Sequence, residues 1–153
     1  MIDNSFIWIK TKWLLNKKKD IFWRLQHRAL PLGYRLTHLN QEGLNDCPNC
    51  PGITQTLEHF ALKCNISKII WKTVYKALPN SAENNPPKNI NEILQATNFE
   101  NKQKRKVAIW LHINAIYEIW YWYTQARWGD NTITESIIEN ITRIRLKKSL
   151  KIL

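Results

Sequence analysis

Residues 47–64 read CPNCPGITQTLEHFALKC, and this stretch holds all three cysteines of the 153-residue chain together with one of its four histidines. The four residues follow the pattern C-x2-C-x8-H-x4-C. Two intervening residues let a tight turn direct the first two thiolates at one point, and Pro51 and Gly52 reverse the chain after the second sulfur. His59 lies near the start of a short predicted helix, and Cys64 lies just past its end. The spacing predicts a compact module organised around these four side chains.

The four side chains are a ligand set that suits Zn²⁺, which favours tetrahedral coordination by nitrogen and sulfur. We therefore predict one zinc ion held by Cys47, Cys50, His59 and Cys64. Four protein ligands leave no position for water, so the predicted site is structural. The alternative is three unligated thiols near a chance histidine, but the convergence of every cysteine favours the metal. His38 is the substitute ligand if His59 points away.

The spacing between the last two ligands sets a condition on the backbone. His59 and Cys64 are five residues apart, a separation that does not place two side chains on one face of a straight α-helix. We therefore expect the short helix, which Thr56 would cap, to end or distort before Cys64. Asn65 is the candidate cap of the following helix, which is predicted over residues 66–78.

The helical period on both sides of this stretch predicts a mainly α-helical fold, in which a small zinc-knuckle module lies between short helices and a C-terminal helical pair follows. Upstream, the run Lys17–Lys19 is expected to interrupt the pattern, and Asp20 to cap a helix from Ile21 to about Leu30. Downstream, a long helix is predicted from Lys102 to Trp128, with Gly129 as its C-terminal cap.

A linker and a final helix complete the predicted organisation. Pro and Asn cluster without an apolar period in residues 79–91, which predicts a linker there. The linker would separate a zinc-binding helical module over 1–78 from a Trp-rich helical segment over 92–153 that packs on the module. Thr132 and Glu135 fit a capping box that would start the last helix. Its apolar positions are Ile133, Ile137, Ile141 and Ile144.

Charge points to a polyanionic partner. Lys and Arg number 23 against 12 Asp and Glu, a formal net charge of +11, which favours a polyanion such as nucleic acid, or an anionic membrane surface. The basic residues that flank the metal motif are the candidate phosphate contacts: Lys17, Lys18, Lys19, Arg24, Arg28, Arg35, Lys68, Lys72 and Lys76. The alternative is a solvated helical face, and the sequence does not separate the two.

The long predicted helix is rich in aromatic residues. Trp110, Ile113, Tyr117, Trp120 and Tyr121 fall at helical spacing. Exposed aromatic rings can stack on nucleic-acid bases, but packing against the zinc module or a partner is favoured, because aromatic side chains dominate cores and interfaces.

The metal motif and its flanks resemble the reverse transcriptase zinc-binding domain, a module that typically follows the polymerase in non-LTR retroelements. The resemblance covers roughly residues 20–78 and rests on the four ligands together with Phe22-Trp23-Arg24 and Arg35-Leu36 upstream and Ile70-Trp71 downstream. Leu57 stands where the family commonly has Val. The resemblance implies an accessory part of a larger polyprotein that handles RNA or DNA, without strong sequence specificity, or that associates with a reverse transcriptase domain.

Other motifs restrict the function further. The chain has no Tyr-x-Asp-Asp polymerase motif, no Gly-x-Ser-x-Gly elbow and no glycine-rich phosphate loop. We therefore expect a non-catalytic, zinc-binding and nucleic-acid-binding accessory module derived from a retroelement reverse transcriptase. The alternative is a structural module that docks through the Trp-rich helix onto a polymerase or another protein, or a relic without retained activity. No secretory signal or transmembrane stretch is evident, so an intracellular location, nucleus or cytoplasm, with no membrane partner is expected.

Overall fold

The computed structural model describes residues 15–32, 45–77, 85–129 and 134–150. Within these ranges, one π-helical segment (His59–Lys63) and one antiparallel two-stranded sheet accompany five α-helices. The helices are α1 (Asn16–Gln26), α2 (Asn65–Tyr75), α3 (Ile90–Gln95), α4 (Lys102–Trp128) and α5 (Glu135–Leu150), and the strands are β1 (Asp46–Cys47) and β2 (Cys50–Thr54). This architecture confirms the predicted fold class.

The central element is α4, which has the predicted bounds and packs against α1, α2, α3 and α5. Its buried side chains include Trp110, Ile113 and Trp122. Gly129 follows the last turn with a φ of −97°, so it is not a left-handed cap. Glycine is needed there for space, because a Cβ would lie 2.5 Å from the carbonyl oxygen of Gln125.

Helix α1 begins earlier than predicted, because the lysine run continues the helix and does not interrupt it, and it ends at Gln26, before the predicted end near Leu30. Lys18 is half-buried, and its Nζ donates to Asn114 Oδ1 at 2.6 Å and to Ser149 Oγ at 3.1 Å. Burial lowers the pKa of this lysine. Asp20 lies inside α1 and pairs with Arg24 at 3.1 Å, so its predicted role as a cap is wrong. These contacts of Lys18 join α1 to α4 and α5.

Helix α5 turns a different face to the core than predicted. Ile138 and Leu146 are buried, and the predicted Ile141 packs partly buried against the core, whereas the predicted Ile137 and Ile144 are 41% and 53% exposed. The rotation fits the partners of α5, because Arg145 approaches the buried Glu118 of α4 at 3.4 Å.

The cap of α5 is provided by a different threonine from the one predicted. Its first turn is capped by Thr134, whose Oγ1 accepts from the N–H of Ile137 at 3.4 Å. The predicted cap Thr132, like His38, Arg35 and Leu78, lies outside the described residues.

A single hydrophobic cluster contains residues from both sides of the predicted linker, among them Phe60 and Val74 upstream and Ile93 and Ile116 downstream. Helix α3 begins at Ile90, with the side chain of Asn89 accepting from the N–H of Glu92. The division of the chain at residues 79–91 stays a prediction. None of the helices in the described ranges is long and apolar enough to cross a membrane.

Candidate metal centre

The first two predicted ligands come from the β1–β2 hairpin. The Cα atoms of Cys47 and Cys50 are register partners, which brings the two side chains to one end of the hairpin. Pro48 and Asn49 form the intervening turn, as the C-x2-C spacing predicts. The prediction that Pro51 and Gly52 reverse the chain after the second sulfur is wrong, because both residues continue it within β2. Gly52 has a φ of +82°, a left-handed conformation that glycine adopts without steric cost.

The third and fourth ligands lie at the two ends of the π-helical segment. Thr56 precedes the helical turn of Leu57 and Glu58 that leads into this segment, and its Oγ1 accepts from the N–H of His59 at 3.1 Å. The N–H of Cys64 donates to the carbonyl of His59 at 2.8 Å. This i to i+5 hydrogen bond is the π-helical pattern, and it brings residues five apart onto one face. The predicted distortion before Cys64 is therefore confirmed, and its form is a π-turn.

Cys64 also begins the next helix. Its φ and ψ of −62° and 141° are those of an N-cap residue, and its carbonyl accepts from the N–H of Lys68. The predicted cap, Asn65, is instead the first residue of α2. One residue therefore belongs both to the metal site and to the helix that follows it.

The four ligand atoms converge closely enough to hold a single ion. The ligand atoms of Cys47, Cys50, His59 and Cys64 all lie within 4.8 Å of one another. The Sγ of Cys64 is 3.8 Å from the Sγ of Cys47 and 3.9 Å from that of Cys50. Zinc–sulfur bonds of about 2.3 Å in a tetrahedron place two sulfurs about 3.8 Å apart. The sulfur separations therefore fit one tetrahedral zinc ion.

The histidine provides an independent test of this fit. His59 is 7% exposed, and its Nε2 is buried without a hydrogen-bond partner among the described residues. A buried ring nitrogen without a partner is costly, and a bound metal ion removes that cost. The donor set and the unsatisfied nitrogen both fit zinc, and the closed four-ligand shell fits a structural site.

The backbone around the site favours thiolates. The Cys47 thiol and the N–H groups of Ile66 and Ser67, in the first turn of α2, hydrogen-bond to the Cys64 sulfur and lower its pKa. The hydrogen bond with Cys64 and burial raise the pKa of Cys47. One Zn²⁺ with three thiolates and a neutral imidazole carries a net charge of −1. The zinc ion with its four ligands therefore does not attract phosphate.

Side chains of α2 stabilise the π-turn, and the sequence did not reveal this role. Ser67 Oγ donates to the carbonyl of Phe60, and Trp71 Nε1 donates to the carbonyl of Ala61 at 2.7 Å. Both donors are buried. In a π-turn, carbonyls do not make the regular i to i+4 hydrogen bonds. The two side chains of α2 therefore provide hydrogen-bond donors for the carbonyls of Phe60 and Ala61. Ile70-Trp71 was recognised only as part of the family resemblance.

The C-terminal end of α4 contacts the hairpin and the π-turn. Arg127 Nη2 donates to the carbonyl of Asp46 at 2.6 Å, next to the ligand Cys47. The ring of Phe60 packs edge-on against Tyr123, with centroids 5.6 Å apart. This contact with the zinc module agrees with the interpretation of the aromatic helix as a packing element. Trp110 and Trp122 are buried in the same helix, so they are not exposed for docking, whereas Trp128 is 65% exposed.

The two other histidines in the described ranges are not in the ligand group. His112 is fully buried, its Nδ1 donates to the carbonyl of Ile93 at 2.8 Å, and its Nε2 accepts from the hydroxyl of Tyr75 at 2.6 Å. Burial lowers its pKa to about 4, so the ring is neutral near neutral pH. His27 is exposed beside Trp23 on α1. His112 is thus a packed histidine of the core.

The predicted basic residues fall into two groups. Lys68, Lys72 and Lys76 are all exposed on or just after α2. On α1, Lys17 and Arg24 are exposed and Lys19 is partly buried, and Arg28, two residues beyond the end of α1, is also exposed. Lys18 is directed to Asn114 and Ser149, so it is not placed to contact a phosphate.

Comparison with known proteins agrees with the geometry. Residues 2–71 match the family model described as zinc-binding in reverse transcriptase. The match extends further upstream than the expected start near residue 20 and ends at Trp71. Neither a curated protein nor a solved structure matches the chain. With the four converging ligands, the match confirms the resemblance: residues 2–71 are similar to the zinc-binding domain of reverse transcriptases.

Proposed function

We propose that this chain is a non-catalytic module, derived from a retroelement reverse transcriptase, that binds RNA or DNA through cations positioned by a structural zinc ion. The observation that carries the proposal is the double role of Cys64, which is both a metal ligand and the N-cap of α2. The outer side of that helix presents Lys68, Lys72 and Lys76. Metal binding and the placement of these lysines are therefore physically coupled.

The lysine row has the electrostatic character of a backbone-binding surface. Four-residue spacing places successive lysines about 6 Å apart along the helix. No acidic residue occurs between Asn65 and Lys76, so carboxylates within the helix do not neutralise the row. Contacts of this kind bind phosphates without reading bases, which supports binding without strong sequence specificity.

The closed metal shell supports a non-catalytic role. Four protein ligands leave no position at which water or substrate could reach the ion. The buried imidazole of His112 is hydrogen-bonded on both nitrogens inside the core, so it supports the fold and is not presented to a substrate.

The proposal is tested with the zinc-loaded chain by fluorescence anisotropy on RNA and DNA oligonucleotides across a salt series. The test variant replaces Lys68, Lys72 and Lys76 by Gln. The matched control replaces Lys102, Lys104 and Lys106 by Gln, because these lysines are also exposed and the charge change is the same. If all three lysines of the row contact phosphate, the salt slope on duplex DNA falls by about 2.7 in the test variant.

Two results would contradict the proposal. One is the absence of binding to any oligonucleotide at low salt. The other is an equal loss of affinity in the test and control variants, which would show that net charge alone causes the binding. Chelation of zinc provides a third comparison, since we expect it to weaken binding even though every lysine remains.

A further inference from the structure

Helix α1 presents an aromatic side chain to solvent that neither the core nor the metal site uses. Trp23 is 43% exposed, whereas its neighbours Phe22 and Leu25 are completely buried. One helical turn later, the ring of His27 packs beside the indole, with centroids 4.2 Å apart. The two rings therefore form an accessible aromatic pair on the exposed side of α1.

The surroundings of this pair are strongly basic. Between Lys17 and Arg28, α1 and the two residues that follow it contain five Lys or Arg against the single carboxylate of Asp20. Lys18 is turned to α4 and α5 and Arg24 pairs with Asp20, so Lys17, Lys19 and Arg28 supply the excess positive charge. Arg24, next to Trp23, lies on the same exposed side. Isolated exposed apolar residues are ordinary, but an aromatic pair within a basic helix has both components that single-stranded nucleic acid requires.

We propose that Trp23 and His27 form a stacking site for an unpaired base of single-stranded nucleic acid, while the cations of α1 attract the flanking phosphates. The proposal rests on the nucleic-acid binding proposed above and adds a preference for single strands. Base pairing and stacking hide the base faces in a duplex, so a duplex gains only from the cations. Every base has an aromatic face, so the site tolerates different sequences.

The test compares Trp23→Ala with Trp23→Phe in the zinc-loaded chain. The matched control is Trp128→Ala, because Trp128 is also exposed but lies at the end of α4. The probes are an oligouridylate and an oligothymidylate of about 12 nucleotides and a duplex of the same length, measured by fluorescence anisotropy at one salt concentration. Zinc content and circular dichroism confirm that each variant is folded.

We expect Trp23→Ala to weaken single-strand binding about tenfold, with a change of less than about twofold on the duplex. Trp23→Phe should retain most of the affinity, because a phenyl ring still stacks. Equal effects of Trp23→Ala and Trp128→Ala, or equal losses on single strand and duplex, would overturn the stacking site.

The two proposals fail in different ways. If the lysine variants change nothing but Trp23→Ala abolishes single-strand binding, the lysine row is wrong and the stacking site stands. If Trp23→Ala changes nothing while the salt slope still depends on the lysine row, the stacking site is wrong and the proposed function stands. No binding to any probe overturns both.

Discussion

Replacement of Trp71 by Phe tests whether the π-turn depends on its donors from α2. Phe keeps a ring in this buried position, where Trp71 is 3% exposed, but it removes the N–H that donates to the carbonyl of Ala61. An unsatisfied buried carbonyl costs about 1–3 kcal/mol, and the smaller ring leaves a cavity that costs about 1 kcal/mol more. We therefore expect the free energy of unfolding of the zinc-loaded protein to fall by about 2–4 kcal/mol.

Two assays separate the loss of this donor from a general loss of packing. Urea denaturation gives the free energy of unfolding, and the visible absorption of the cobalt-substituted protein at saturating metal reports the geometry of the four ligands. Without its donor, the turn can relax towards regular α-helix, which rotates Cys64 away from His59. We expect an altered cobalt spectrum in Trp71→Phe. The control Ile70→Val, a neighbouring and fully buried position, should lose stability but keep the wild-type spectrum.

A loss below 1 kcal/mol together with an unchanged cobalt spectrum in Trp71→Phe would refute the reasoning. It would show that the backbone holds the π-turn without the side-chain donor. A spectrum altered equally in Ile70→Val would show that any packing defect disturbs the metal site.

Three further predictions concern the metal, a buried base and a turn. Zinc chelation or Cys50→Ser should unfold at least the hairpin and the π-turn, because structural zinc contributes roughly 10–16 kcal/mol and a whole domain is stable by only about 5–15 kcal/mol. Circular dichroism measures this loss, and unchanged spectra would contradict it. His112, whose pKa falls from 6.5 to about 4 on folding, contributes stability above its unfolded pKa, and about 3 kcal/mol is lost as the pH drops through this window. In His112→Gln, the urea midpoint should depend less on pH between about pH 6.5 and 4. An unchanged dependence on pH would show that His112 does not cause this loss of stability. Gly52→Ala should lower the free energy of unfolding by about 1–2 kcal/mol. The cause is the left-handed φ, since a Cβ there meets nothing within 4 Å. Asn tolerates this conformation better, so Gly52→Asn should cost less in thermal denaturation, and equal costs would point to a steric cause.

The sequence predicted the metal site better than the helices around it, and the reason is physical. Ligand chemistry restricts residue type and spacing tightly, so the separation of His59 and Cys64 alone required a backbone distortion. The type of distortion depends on donors from Ser67 and Trp71, and local spacing contains no information about such partners.

The errors at α1 and α5 have the same origin. The lysine run was expected to break the helix, but the contacts of Lys18 with Asn114 and Ser149 are made to distant parts of the chain. In α5, isoleucines occur on more than one side of the helix, and only the packing against α2 and α4 selects Ile138 for the core.

The π-turn has a consequence for insertions and deletions. It contains one residue more than an α-helical turn between the same ends, and each residue rotates a helix by about 100°. A natural variant that lost one residue between His59 and Cys64 would keep two ligands at a workable separation, yet α2 would present a different side to its surroundings. The direction in which the lysine row points is thus set by the length of this five-residue segment, and homologues with a shorter segment should carry their basic residues at shifted positions.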